Sequence, residues 1–328
     1  MMKSVRIPRG WTWAVVAVLA GTLALVFATW GASRDDEEPG SGEPVTIAHA
    51  RGTTTVDGSP KRIVTLGNQW MDTALALGVT PVGYIDTAAT VSGTNPPWAP
   101  DSLTSARALN TTGNIAEQVA ALEPDLILVD GFLADQKTYD ELSKLAPTLP
   151  ALSTEAVAPW RDQVTALGTA LRKPGRASKV IADVDKKVET ITQANPGLKG
   201  RTFVSTWLAS PAQLFVLADP NAASSQIFTQ LGLSIPKNLT DQPASQGRLA
   251  LSPESVDELT ADLLLAGYSP GMDEKYRQLA GYNELPAVEK GAVVFLTVQE
   301  ISAVNQPTAL SLPYLLDKLQ PAFASAAK

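Results

Sequence analysis

Glu117-Gln118-Val119-Ala120-Ala121-Leu122-Glu123-Pro124-Asp125-Leu126-Ile127-Leu128-Val129-Asp130-Gly131 has a counterpart further along the chain, Glu254-Ser255-Val256-Asp257-Glu258-Leu259-Thr260-Ala261-Asp262-Leu263-Leu264-Leu265-Ala266-Gly267. Both copies place Val two, Leu five and Asp eight positions after the Glu, and an apolar run follows at once. The Val and Leu recur at helical spacing. The runs Leu126-Ile127-Leu128-Val129 and Leu263-Leu264-Leu265-Ala266 have no polar interruption, as a strand covered on both faces requires. Each copy therefore predicts a short helix feeding a buried strand, and the pair predicts two similar α/β lobes. Glu117 and Glu254 fall at the expected helix starts, where the backbone dipole favours a carboxylate and the side chain stays exposed. They are candidates for a surface role, with N-terminal capping as the plainer alternative.

The 328 residues suffice for two lobes with substantial cores. A net charge of −7 and a pI near 4.9 argue against nucleic acid as a partner, which would need a basic face. The chain has no cysteine, which excludes disulfides, thiolate metal sites, a Cys nucleophile and lipid attachment through a thioether. Residues 1–33 carry Lys3, Arg6 and Arg9 and then an uncharged apolar stretch over 11–32, the pattern of a secretory signal or membrane anchor. The positive end stays in the cytoplasm, so the rest is expected to be extracytoplasmic. Bulky Trp30 makes a poor cleavage site, which favours a retained anchor. Residues 34–44, rich in acidic residues, Gly, Ser and Pro, read as a flexible tether.

Beyond the tether the pattern divides into an N-terminal α/β lobe over 45–158, a connecting helix over 159–195 and a C-terminal α/β lobe over 196–328. The connector is expected to break or bend at Lys173-Pro174-Gly175. Residues 87–105 read as a long functional loop containing Asn95-Pro96-Pro97-Trp98.

His49 is the only histidine and stands apart from every other candidate, so it reads as structural or solvent-facing and no metal site is expected. No nucleophile turn, phosphate loop or dinucleotide fingerprint occurs, so no catalytic residue or resident cofactor is expected. What remains are aromatic and polar residues just beyond strand ends, where ligands settle in open α/β sheets. In the first lobe these are Asn68, Gln69, Trp70, Tyr84, Asp86, Gly131 and Phe132. In the second they are Trp207, Gln246, Arg248, Tyr268 and the stretch 299–306. Arg248 stands in a polar loop with no acidic residue until Glu254, so its charge is available to an anionic or chelate oxygen.

The motifs Pro60-Lys61-Arg62-Ile63-Val64-Thr65-Leu66, Leu75-Ala76-Leu77-Gly78-Val79-Thr80-Pro81-Val82-Gly83, Leu122-Glu123-Pro124-Asp125-Leu126-Ile127-Leu128 and Leu251-Ser252-Pro253-Glu254-Ser255-Val256 carry a family resemblance. Over residues 45–325 the chain resembles the helix-linked (class III) solute-binding proteins of ABC importers, in particular the iron-siderophore group. The resemblance implies two Rossmann-like lobes joined by one long helix, a shallow ligand cleft between them and little hinge motion. It also implies that Glu117 and Glu254 dock on arginines of a permease dimer. Pro81-Val82-Gly83, Asp86-Thr87 and Pro96-Pro97-Trp98 look similar to the hydroxamate branch. Asn110-Thr111-Thr112-Gly113-Asn114 stands where that branch has a basic residue, which leaves the siderophore class open.

The expected function is capture of a ferric siderophore, iron entering only as part of that ligand, and delivery to a permease with no bond made or broken. Asn68, Trp70, Tyr84, Phe132, Trp207, Arg248 and Tyr268 are the candidate ligand contacts. Cobalamin or haem is the alternative cargo, and a surface scaffold or sensor of the same fold is the alternative role.

Overall fold

The computed structural model describes residues 43–133, 135–154 and 157–328. The signal or anchor segment and nearly all of the tether lie outside the described residues. Among the described residues no helix is long and apolar enough to cross a membrane.

The chain enters through an antiparallel ribbon of β1 (Val45–His49) and β2 (Gly52–Val56). Ile47, His49, Thr54 and Val56 point inward and are buried. His49 Nε2 bonds Thr54 Oγ1 at 2.9 Å, and that hydroxyl donates to the Thr148 carbonyl at 2.6 Å, so the ring nitrogen is the donor of the first bond. Nδ1 accepts the Arg51 N–H at 3.2 Å. Burial pulls the His49 pKa down, and the ring acts structurally as a neutral spacer.

The first lobe contains β3 (Ile63–Leu66), α1 (Asn68–Ala76), β4 (Gly83–Ile85), α2 (Thr87–Ser92), β5 (Arg107–Ala108), α3 (Ile115–Ala120), β6 (Leu126–Val129), α4 (Gln136–Leu142) and β7 (Thr148–Leu149). Its sheet runs β5-β4-β3-β6-β7, parallel throughout. The second lobe contains β8 (Phe203–Ser210), β9 (Gln213–Leu217), α7 (Ala223–Gln230), α8 (Lys237–Thr240), β10 (Arg248–Leu251), β11 (Leu263–Tyr268), α9 (Asp273–Arg277), α10 (Pro286–Glu289), β12 (Val293–Leu296), α11 (Val298–Asn305) and α12 (Ser311–Ala326). Its sheet runs β10-β9-β8-β11-β12. The two repeat strands, β6 and β11, hold the same place: each pairs in parallel with the central strand of its sheet, β3 or β8. Every residue of β6 is buried, and so is β11 up to its last residue, as their unbroken apolar runs require. The lobes differ on the other side of the centre. There β8, β9 and β10 form an antiparallel meander, where β3, β4 and β5 are parallel.

Two expectations need correction. The second repeat copy has no α-helix. Ser255 N–H bonds the Ser252 carbonyl at 2.9 Å and Glu254 N–H meets Ser252 Oγ at 3.3 Å, so the chain turns over Pro253-Glu254. Only one 3-10 turn, Val256–Glu258, fits before β11. Likewise, the stretch 159–195 is a hairpin of α5 (Trp160–Ala170) and α6 (Pro174–Ala194), not one helix. Pro174 sits at the first turn of α6, where its missing N–H costs nothing. The helices lie antiparallel, with Arg161 paired to Asp185 and with Gly168 so close to Ala177 that a Cβ there would come within 2.5 Å of the Ala177 Cβ. At 21 residues, α6 is the long helix, about 32 Å at 1.5 Å per residue. One apolar core runs from Ile63 and Trp70 through Val164, Val184 and Val188 to Phe203 and Leu264, so this hairpin is packed into both lobes.

Residues 87–105 hold two short helices, α2 and a 3-10 turn at Asp101–Ser105, and they pack against the second lobe. Gln299 of α11 donates through Nε2 to Asp86 Oδ2 (3.1 Å), the Thr94 carbonyl (2.7 Å) and Ser92 Oγ (3.4 Å). Asp72 Oδ2 accepts from Trp98 Nε1 at 2.9 Å and from Thr308 Oγ1 at 2.8 Å, and Trp98 lies 5.6 Å from the Tyr314 ring. Asp72 and Asp130 are buried, and burial pushes both carboxyl groups up to a pKa of about 7.

Candidate functional site

Strand β8 carries Trp207 opposite Phe215 of β9, and the two rings lie 6.1 Å apart on the same face. Trp207 Nε1 donates to Ser269 Oγ at 3.2 Å, which fixes the ring plane. Strand β10 opens with Arg248, and its half-buried guanidinium donates through Nη2 to Asn305 Oδ1 at 2.8 Å. Burial lowers the Arg248 pKa, yet a guanidinium keeps its charge at neutral pH.

These residues wall a cavity of about 770 Å³ together with Phe132 and Val157 from the first lobe and Gln242, Ser245, Gln246, Asn305 and Gln306 from the second. Its volume lies within the range of small-molecule pockets. Among the described residues lining it, Arg248 is the one charged side chain, and the remainder are aromatic, aliphatic or neutral amides and hydroxyls. A partly desolvated cation on such a wall favours an anion beside it.

Of the seven ligand contacts expected from sequence, Phe132, Trp207 and Arg248 come together in this cavity. Four do not. Trp70 has no exposed surface and belongs to the core, because α1 starts directly after Gly67 (φ 117°) and turns its third residue inward. Tyr84 is buried against Met71, Leu75 and Leu103, with its hydroxyl 3.5 Å from Asn95 Oδ1. Asn68 is committed to the lobe junction: its amide donates to Asp86, and its oxygen accepts from Thr87 N–H at 3.0 Å and Thr87 Oγ1 at 2.6 Å. Tyr268 ends β11 and packs 6.2 Å from the Phe295 ring, away from the cavity wall. Phe215 escaped the sequence reading, although the alternation in β9 signals it: Gln213 and Phe215 share the less buried face, while Leu214 and Val216 are buried.

Glu117 is exposed at the third position of α3 and forms a reciprocal cap with Asn114. Asn114 Nδ2 donates to its carboxylate at 3.0 Å, and Asn114 Oδ1 accepts its N–H at 3.3 Å. Glu254 is exposed in the turn before β11.

Comparison with known proteins agrees with this architecture. The probable siderophore-binding lipoprotein YfiY of Bacillus subtilis is 28% identical over 316 residues, covering 89% of this chain and 91% of its own. The Fe(3+)-citrate-binding protein YfmC of the same organism is 26% identical over 291 residues, 85% of this chain and 88% of its own. Among solved structures, a periplasmic solute binding protein from Mycobacterium smegmatis superposes with a TM-score of 0.72 at 29% identity, over 87% of this chain and 99% of the other. The family described as periplasmic binding protein matches residues 63–300, from β3 into α11, a span that includes both sheets and most of the cavity wall. The chain is a member of the periplasmic binding protein family.

Proposed function

We propose that this protein captures a ferric siderophore outside the cytoplasmic membrane and delivers it to the permease of an ABC importer, making and breaking no bond. The observation that carries this reading is Arg248, a half-buried guanidinium in an aromatic-walled cavity that presents no other charge among the described residues. Ferric complexes of siderophores built on carboxylate or catecholate groups carry net negative charge, and catecholates add flat aromatic surface; this wall complements both features. The names of YfiY and YfmC point the same way. The exposed carboxylates of Glu117 and Glu254, one on each lobe, suit docking to a basic permease surface. The apolar N-terminal stretch supplies the route out of the cytoplasm and a means of staying at the membrane.

The test is titration of the purified protein with a panel of ferric siderophores, followed by quenching of tryptophan fluorescence. Arg248→Ala removes a charge-assisted contact worth about 1.5 to 3 kcal/mol and should weaken an anionic chelate roughly ten- to a hundredfold. A dissociation constant that stays the same across the panel refutes the assignment of Arg248.

A further inference from the structure

The cleft is divided into two chambers. Beside the 770 Å³ cavity lies a second of about 390 Å³, and the two share Phe132 and Gln246 on their walls. Phe132 stands on the loop after β6 and is 64% exposed. Gln246 comes from the opposite lobe, so each lobe contributes one side of the doorway. The small chamber is otherwise lined from the first lobe, by Arg51, Asp130, Ser153 and Thr154 with Ala50 and Ala151 between them.

The backbone at Gln246 adds an independent observation. Ser245 and Arg248 exchange hydrogen bonds of 2.9 and 3.0 Å across a two-residue loop in which Gln246 and Gly247 both have positive φ, 50° and 74°. Such turns take Asn or Gly at the first of these positions, because a longer side chain is strained there. A glutamine in that conformation sets a longer amide at the doorway, and backbone strain of this kind gathers at ligand sites.

We propose that the small chamber is a second subsite and that the ligand is bipartite. The anionic ferric chelate head sits on Arg248 in the large chamber, and an uncharged, amide-bearing arm passes between Phe132 and Gln246 into the small one. This rests on the ferric-chelate reading above. The arm is polar and uncharged because the described walls of the small chamber set a guanidinium, Arg51, beside a buried and only part-ionised carboxyl group, Asp130, which together make a donor and acceptor pair. An ammonium group entering it would face Arg51. An amide meets both, giving its N–H to the carboxyl and its carbonyl to the guanidinium or the hydroxyls of Ser153 and Thr154. The wall is firmly built: Arg51 Nη1 donates to Gln136 Oε1 at 2.6 Å, its guanidinium lies 5.1 Å from the Tyr139 ring centre, and its N–H is held by His49 Nδ1. Asp130 is likewise fixed, accepting Gln69 N–H at 3.3 Å.

The experiment is calorimetric titration of the full chain with ferric citrate, a compact chelate without an arm, and with ferric staphyloferrin B, a larger citrate-derived chelate with amide linkages. Ala50→Trp fills the small chamber from an exposed turn residue, and Gln246→Asn keeps the turn but shortens the amide. Ala50→Trp should weaken ferric staphyloferrin B at least tenfold and leave ferric citrate within twofold. Gln246→Asn should weaken the larger chelate more than the smaller, without lowering the unfolding midpoint. Equal losses for both ligands, no loss for either, or wild-type protein that binds ferric citrate but not the larger chelate would overturn the two-chamber inference while leaving the ferric-chelate reading in place. Wild-type protein that binds neither chelate would overturn the two-chamber inference, and failure to bind any member of the ferric siderophore panel would overturn the ferric-chelate reading as well.

Discussion

Asp72 should make the fold less stable as pH rises, the reverse of the usual behaviour of a paired carboxylate. Its side chain is almost completely buried, and its pKa stands at about 7 against an ordinary 3.8, with burial as the largest cause, opposed by the Thr308 and Trp98 hydrogen bonds. Below pH 4 both the folded and the unfolded chain hold the proton, and the group contributes no difference. Between pH 4 and 7 the folded chain keeps a proton that the unfolded chain has lost, so stability falls as pH rises. Above pH 7 the full cost of a buried carboxylate is present. At 1.36 kcal/mol per unit, the loss from pH 5 to pH 8 is about 2 to 3 kcal/mol from this one group. Asp130, raised to about 7 by burial, acts in the same direction, and His49, whose pKa is lowered by burial, acts in the opposite direction below its ordinary range, so the raw pH profile mixes all three. The informative comparison is wild type against Asp72→Asn, which keeps an acceptor for Trp98 Nε1 and Thr308 Oγ1 but cannot ionise. Urea unfolding at pH 5 and pH 8 should show wild type losing about 2 to 3 kcal/mol more than the variant across that interval. Parallel profiles for the two proteins would show that Asp72 does not titrate in this window and refute the argument.

Three further outcomes are expected. Trp207→Ala removes a wall of the large chamber and should lower ferric siderophore affinity in titration, with the melting temperature moving only a few degrees because the ring is half-buried. Trp70→Ala, by contrast, empties part of the core and should cost about 3 to 5 kcal/mol in urea unfolding, while any protein that remains folded binds ligand as wild type does. Glu117→Ala combined with Glu254→Ala should leave siderophore affinity in solution unchanged and sharply reduce uptake by cells. A double variant importing at the wild-type rate at normal abundance would show that Glu117 only caps α3 and that the Glu254 carboxylate has no docking role.

The features legible in the sequence were those fixed by local chemistry. The repeat strands β6 and β11 read correctly because a strand buried on both faces leaves an unbroken apolar run, and the break before α6 read correctly because proline removes a donor. The alternation of β9 (Gln213–Leu217) carries a signal for Phe215, which shares the less buried face with Gln213 and reaches the cavity wall. What escaped was set by partners distant in sequence. Asn68 and Asp86 look like ligand groups until Gln299, more than 200 positions away, is seen to bond Asp86, with Asn68 bonded to the same carboxylate. Trp70 was misplaced for a different reason. It was expected just beyond the end of β3, whereas α1 begins at Asn68 and Trp70, its third residue, lies on a face buried in the core.

Helix α11 ties the lobe junction to the ligand cavity. Its N-terminus is pinned by a capping box between Thr297 and Glu300, and Glu300 Oε1 also accepts from Tyr314 at 2.8 Å and Lys318 at 2.5 Å. Its body lies directly on β11, because Gly267 has no side chain there; a Cβ would come within 2.5 Å of Ile301 Cγ1. From this fixed base, Gln299 reaches the first lobe through Asp86, Ser92 and Thr94, and one helix length away Asn305 holds the Arg248 guanidinium. The position of the cation relative to Phe132 across the cleft is therefore set by one short helix bonded to both lobes. A site held in this way needs little ordering when a ligand arrives, which lowers the cost of binding, and it gives up the option of wrapping around ligands of any size. Selectivity must then come from the shape and charge of the preformed walls.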